Sequence, residues 1–166
     1  MHLSRRDSMK LLGGFLVAAE SFRVAWADAQ IVDMGNRVQY QVYGHENDMI
    51  RFLINNSEIA RDEIKDVTAN VPGYKWSGSV VIVPVIHGRE KDQVYCYAVI
   101  GNRVLRSPLW RDTHPGVLNL GGVNWSGDNT VEIPGDGSSG TMTFSDSHWH
   151  CTADGDSVIE QDERWL

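Results

Sequence analysis

Positive charge, cysteine and long apolar runs are all scarce in this sequence, and each scarcity narrows the possible functions. The 166 residues include 15 Lys and Arg against 22 Asp and Glu, which gives a formal net charge of −7. Because nucleic-acid binding requires clustered positive charge, we expect no nucleic-acid partner. The longest apolar run, residues 11–19, is far shorter than the roughly 20 residues needed to cross a bilayer, so we expect no stable membrane span after processing.

Catalytic motifs are missing from the sequence as well. It contains no G-x-S-x-G nucleophile motif, and the spacing of its carboxylates does not select an acid–base pair. The only cysteines, Cys96 and Cys151, would be lost as nucleophiles if they formed a disulfide. These features favour a non-enzymatic protein.

The N-terminus has the organisation of a secretory signal. Residues 4–10 read SRRDSMK and precede the short apolar run, after which two small-x-small cleavage sequences follow. The stretch resembles the S-R-R-x-F-L-K signature of twin-arginine signal peptides, with Ser8 in place of the usual Phe. The resemblance implies export of a folded bacterial protein to the periplasm or beyond. Residues 1–29 would be the signal peptide and residues 30–166 a single mature domain.

The mature domain is acidic and contains both cysteines. It has 11 basic and 19 acidic residues, a net charge of −8, so an anionic membrane surface is not expected as a partner. In an oxidising compartment, an even number of cysteines predicts a disulfide. A Cys96–Cys151 bond would span 55 residues, and closing such a loop stabilises a fold by about 4 kcal/mol.

Short β-forming runs separated by Gly, Asn, Asp and Pro dominate the mature sequence and predict an all-β fold. Residues 80–86 read VVIVPVI, which is apolar on both faces and predicts a central strand covered on both sides. Pro84 in this run removes one ladder N–H, which predicts a bulge or an edge position. The order Cys96, Trp110, Cys151 resembles that of immunoglobulin domains. We therefore expect a two-sheet antiparallel β-sandwich, immunoglobulin-like in broad architecture, with one disulfide.

At most one short helix is expected, and its location has two interpretations. Residues 56–67 read NSEIARDEIKDV, in which Ser57 suits a helix N-cap and the charges are mixed at helical spacing. The same residues also fit a hairpin that turns at Asn55-Asn56. The sequence leaves both open.

The segment FSDSHWHC near the C-terminus carries a candidate metal site. On a strand, His148 and His150 point to one face about 7 Å apart and could bind one metal ion together with Asp154. These ligand types suit zinc, copper or iron. Trp149 and Cys151 share the opposite face, and both prefer burial. The alternative is therefore a solvated histidine pair on the outer face.

Aromatic residues offer a second kind of candidate binding site. Trp125 lies among turn-forming residues, while Tyr95 and Tyr97 share one strand face opposite Cys96. Exposed aromatic rings with polar neighbours stack on sugars or anchor a protein partner. The alternative is that these rings fill the core.

Together these features predict an exported, periplasmic β-sandwich that binds a protein partner as an accessory subunit of a periplasmic complex. One alternative is a small metalloprotein that holds a transition metal at His148 and His150. Another is a carbohydrate-binding module that uses an exposed tryptophan.

Overall fold

The computed structural model describes residues 31–67, 73–114 and 122–166, so the predicted signal peptide lies outside the described residues. Across these ranges, no helix has the length and apolar character needed to cross a membrane. The described residues form fifteen strands and one 3-10 turn, His45–Asn47. The strands are β1 (Ile31–Asp33), β2 (Val38–Tyr43), β3 (Met49–Ile54), β4 (Ser57–Glu63), β5 (Lys75–Ser77), β6 (Val80–His87), β7 (Gln93–Ile100), β8 (Arg103–Arg106), β9 (Leu109–Asp112), β10 (Asn124–Ser126), β11 (Thr130–Ile133), β12 (Ser138–Ser145), β13 (His148–Gly155), β14 (Ser157–Glu160) and β15 (Arg164–Trp165).

The strands form three antiparallel sheets. The N-terminal sheet has the order β1-β2-β3-β4, and the C-terminal sheet has the order β10-β11-β12-β13. The central sheet has seven strands in the order β14-β9-β7-β6-β5, with β8 paired to β7 and β15 paired to β8. The predicted all-β antiparallel class is confirmed, and the layers pack face to face as in a sandwich. The described residues nevertheless form three sheets instead of the predicted two.

The third sheet arises because the central sheet is apolar on both faces. In β6, Val81, Val83 and Val85 pack in one buried cluster with side chains of the N-terminal sheet. Ile82 and Ile86 point the other way and pack in a second buried cluster with side chains of the C-terminal sheet. Successive side chains of a strand alternate between faces, so each face of the central sheet needs a cover. The prediction of a strand covered on both sides is confirmed.

Pro84 lies within β6 without breaking the ladder. Its partner in β7 is Cys96, whose backbone N–H and C=O both bond to Ser107 at 2.8 Å. The Pro84–Cys96 pair is therefore a non-hydrogen-bonded pair of the antiparallel ladder, and the missing N–H faces away from β7. On that side β5 pairs with β6 only as far as Ile82. Pro84 thus occupies a local edge, one of its two predicted positions.

A hairpin forms at Asn55-Asn56, so the hairpin interpretation is confirmed and the helix interpretation is wrong. Both asparagines adopt positive φ, 51° and 62°, which suits the two-residue turns that join antiparallel strands. The strand β4 then pairs with β3, with a register shift between Phe52 and Leu53. Burial of Ala60 and Asp62 against the central sheet selects the strand over the helix.

One edge of the central sheet consists of two rows, each made of two short strands in succession. The strands β8 and β9 both pair with β7 and are separated by Ser107 and Pro108. The strands β14 and β15 pair with β9 and β8 and are separated by residues 161–163. This arrangement brings Gln161 next to β7, although the two are more than sixty residues apart in sequence.

The predicted disulfide is wrong, because both cysteines are free thiols in the structure. Cys96 and Cys151 do belong to the same apolar cluster between the central and C-terminal sheets. Met142, the strand partner of Cys151, places its sulfur 3.6 Å from Cys96 Sγ and fills the space next to that thiol. Burial raises the pKa of Cys96 well above its ordinary value. Burial also raises the pKa of Cys151 to about 12, with a further contribution from Glu163.

Candidate binding site at His87

The segment FSDSHWHC forms the β12–β13 hairpin, and its two faces lie as the sequence predicts. Trp149 is buried, and its Nε1 donates to Leu105 O of the central sheet at 3.0 Å. Cys151 is half-buried beside the same cluster. His148 and His150 are exposed on the outer face of the C-terminal sheet.

The structure places the three predicted metal ligands on one strand but does not gather them. The Nδ1 atom of His148 pairs with a carboxylate oxygen of Glu163. His150 Nε2 lies 3.3 Å from Ser145 O, and Asp154 is exposed near the far end of β13. Within the described ranges, no group of three or more His, Cys, Asp or Glu side chains could hold a metal ion. A metal site at His148 and His150 stays a prediction.

The three aromatic candidates are buried or half-buried. Tyr97 is fully buried and Tyr95 is 5% exposed, both between the N-terminal and central sheets. Trp125 is half-buried against the C-terminal cluster, and Lys75 Nζ lies 5.8 Å from the centre of its ring. Tyr97 therefore belongs to the core, whereas the ring of Tyr95 also lines a cleft.

This cleft opens at the end of the space between the N-terminal and central sheets. It has a volume of about 220 Å³. One wall comes from residues 63–65 at the end of β4, and the other comes from the ends of β6, β7 and β9. Its polar lining consists of Glu63, Lys65, His87, Gln93, Tyr95 and Gln161. The two walls are joined by a backbone bond of 3.0 Å from Gly88 N to Lys65 O.

His87 is the most distinctive group of the cleft, because it is a buried histidine with an unused nitrogen. It ends the apolar strand β6, is 4% exposed, and stacks on Tyr95 with ring centres 4.9 Å apart. Its Nε2 atom finds no hydrogen-bond partner in the described part of the chain. Burial, and then the positive charge of Arg106, lower the pKa of His87 from 6.5 to about 4. The imidazole is therefore neutral at pH 7.

A buried ion pair lies directly behind the cleft. Both oxygens of Asp62, on β4, accept from Nη1 of Arg106, on β8, at 3.2 and 3.1 Å. The hydroxyl of Tyr97 donates to Asp62 Oδ2 at 2.8 Å. The guanidinium also lies 4.4 Å from the ring centre of Tyr95. The pair links the two sheets and leaves this region with no net charge of its own.

Gln161 completes the rim of the cleft. Its Oε1 atom accepts from the hydroxyl of Tyr95 at 2.7 Å and from Arg106 Nη2 at 3.3 Å. Both bonds use the oxygen of the side-chain amide, so its two N–H groups are directed elsewhere. Gln161 has a φ of 64°, a left-handed conformation at the break between β14 and β15 that positions its side chain at the cleft.

Sequence reasoning missed most of this site. Its polar groups come from four separate stretches of chain, represented by Asp62, His87, Arg106 and Gln161, and no short motif contains them. The sequence did contain one indication of the site, since His87 directly follows a run of seven apolar residues. On a strand, His87 lies on the same face as Val85, so its polar side chain is expected to be buried. Among the predicted site residues, only Tyr95 lines the cleft.

No protein-family model, curated protein or solved structure matches this chain. Its function is therefore inferred from the geometry of its own residues.

Proposed function

We propose that this protein is an exported, non-enzymatic binding protein that acts as an accessory subunit of a periplasmic complex. Its twin-arginine-like N-terminus and acidic mature domain support this setting. The single observation that carries the binding role is the cleft between the N-terminal and central sheets, which is lined by His87, Tyr95 and Gln161.

The chemistry around the cleft favours binding over catalysis. The carboxylate of Asp62 is engaged by Arg106 and Tyr97 and is not available as a base. Burial raises the pKa of Tyr97 well above its ordinary value, which makes its hydroxyl a poor proton donor to a substrate. The lowered pKa of His87 makes its imidazole a weak base. These groups are arranged to offer fixed hydrogen bonds.

The proposal is tested by isolating the protein from the periplasm of its native bacterium. We expect a second protein to co-purify with it in stoichiometric amount. His87→Phe replaces the imidazole in the wall of the cleft with a larger apolar ring that can still stack on Tyr95, so we expect it to abolish this association. The matched control is His45→Phe, because the His45 side chain is 90% exposed and lies outside the cleft.

The two possible failures have different meanings. Absence of any stoichiometric partner from the periplasmic fraction contradicts the proposed accessory role. A partner that remains bound to the folded His87→Phe variant supports the accessory role but assigns the contact to another surface. Near-ultraviolet circular dichroism of each variant checks that the aromatic core is unchanged.

A further inference from the structure

We propose that a second cavity of this protein binds one pyranose ring of an uncharged sugar. The cavity opens at the end of the space between the N-terminal and central sheets that lies opposite the His87 cleft, because Ser79 of its wall precedes β6 whereas His87 ends that strand. This site goes beyond the proposed accessory role and does not rest on it. The walls, the floor and the rim of the cavity together point to this class of ligand.

The walls of the cavity are tight turns that need no ligand to form. The cavity has a volume of about 430 Å³, which lies within the range of about 300–1,000 Å³ that is typical of small-molecule sites. Four hairpins, β1–β2, β3–β4, β5–β6 and β7–β8, bring residues at or next to their turns to it. The first two turns are joined by a bond of 3.0 Å from Asn55 N to Arg37 O. Because such turns have little freedom to lose, ligand binding is opposed by little ordering of the protein.

The floor of the cavity is apolar and includes an indole ring. Val38 and Val99 are buried there. Ile54 and Trp76 are half-buried and pack against the same cluster. Trp76 Nε1 donates to Met34 O at 2.7 Å, which holds the indole between β5 and the β1–β2 turn. The C–H groups of a pyranose ring pack on an indole and on aliphatic side chains because all of these surfaces are apolar.

The rim of the cavity is polar but uncharged. Asn36, Ser79 and Asn102 line it and are exposed to solvent, so their side chains are within reach of a ligand. Within the described part of the chain, none of the residues that line the cavity is charged. A charged ligand would therefore lose hydration without gaining a counter-charge, whereas amides and hydroxyls both donate to and accept from sugar hydroxyls. A pyranose has apolar ring faces and a hydroxyl-bearing edge, so it matches the floor and the rim together.

The test is an NMR titration of the purified protein that follows the indole N–H signal of Trp76, identified by its absence from the Trp76→Phe variant. The probes are the methyl glycosides of glucose, galactose, mannose and N-acetylglucosamine. We expect at least one of them to shift the signal saturably, with a dissociation constant in the millimolar range because so small a ligand makes few contacts. No saturable shift with any of the four would overturn the proposal.

Cyclohexanol is the matched apolar probe, since it has a six-membered ring and only one hydroxyl. We expect it to bind more weakly than the best glycoside, because it forms fewer hydrogen bonds at the rim. Cyclohexanol that binds at least as tightly as every glycoside would identify an apolar docking site, such as one for a side chain of a partner protein, and would refute the sugar assignment.

A double variant tests the role of the rim without changing the floor. Ser79→Ala with Asn102→Ala removes two exposed polar side chains, and we expect the best glycoside to bind about tenfold more weakly. The matched control is Asn124→Ala with Ser126→Ala, which removes the same two types of side chain from exposed positions of β10, outside the cavity. Equal affinity of wild type and the rim variant contradicts the proposed site.

The source of the ring is distinguished with the tetrasaccharide of the sugar that binds. Binding of the tetrasaccharide indicates a polysaccharide or glycan, whereas binding of the methyl glycoside alone indicates a free sugar, and both results retain the pyranose assignment. These measurements need no partner protein, so their failure is distinct from failure of the co-purification experiment.

Discussion

Burial of a neutral histidine makes the stability of this protein depend on pH in a specific window. The pKa of His87 is about 4 in the folded protein and 6.5 as its ordinary value. Between these two values the unfolded chain binds a proton at His87 and the folded protein does not, so proton binding favours unfolding. The free energy of unfolding therefore falls as the pH is lowered from about 6.5 to about 4. Above pH 7 this residue contributes no further change.

The expected size of this effect follows from the two pKa values. Each unit of difference corresponds to about 1.4 kcal/mol, so His87 should account for a loss of about 3 kcal/mol between pH 7 and pH 4. Carboxylates also titrate near the acid end of this range. The informative quantity is accordingly the difference between wild type and His87→Phe, which has no imidazole to protonate.

Urea unfolding at several pH values measures this difference. We expect the free energy of unfolding of wild type to fall about 3 kcal/mol more steeply than that of His87→Phe between pH 7 and pH 4. The exposed control His45→Phe should follow the wild-type curve. Parallel curves for wild type and His87→Phe would refute the assignment of a buried, neutral imidazole. NMR titration of the His87 ring gives its pKa in the folded state directly.

Three further predictions concern the packing of the sheets. Arg106→Met leaves its buried carboxylate partner without a counter-charge, and urea unfolding should show a loss of about 3–5 kcal/mol. Gly140→Ala should lower the free energy of unfolding by about 1–3 kcal/mol, because the added Cβ would lie 2.6 Å from Nε1 of the buried Trp110. The control is Gly122→Ala, whose Cβ meets no atom within 4 Å. The two cysteines should react with a thiol reagent only slowly in the native protein and completely after unfolding without reductant, whereas no reaction after unfolding would reveal a disulfide.

The local sequence pattern was sufficient to predict which faces of a strand are buried where the strand's own side chains determine this. The run at residues 80–86 predicts a strand covered on both faces, because both sets of alternating side chains are apolar. The alternation of His148, Trp149 and His150 likewise predicts which side chains are buried. In both cases the period of two residues is a property of the extended backbone and does not depend on the rest of the chain.

The local sequence pattern was not sufficient to predict the secondary structure where the same residues fit both a helix and a strand. Residues 56–67 suit a helix by propensity and a strand by their turn. Pairing of β4 with β3, together with burial of Ala60 and Asp62 against the central sheet, decides for the strand. The number of sheets could not be predicted for the same reason, since the sequence shows two apolar faces on β6 but not which strands cover them.

The cysteines and the cleft show most clearly what the sequence determined alone and what required the tertiary structure. The sequence determined that Cys96 and Cys151 face inward, but only the tertiary structure shows that both are free thiols and that the sulfur of Met142 lies 3.6 Å from Cys96 Sγ. It determined that a polar His87 ends an apolar strand. The fold alone decides that Arg106 and Gln161 lie beside Tyr95, the ring on which His87 stacks, because strand pairing joins positions far apart in the chain. Because the residues of this site are far apart in the sequence, they form no local motif, and the candidate binding site could be recognised only in the structure.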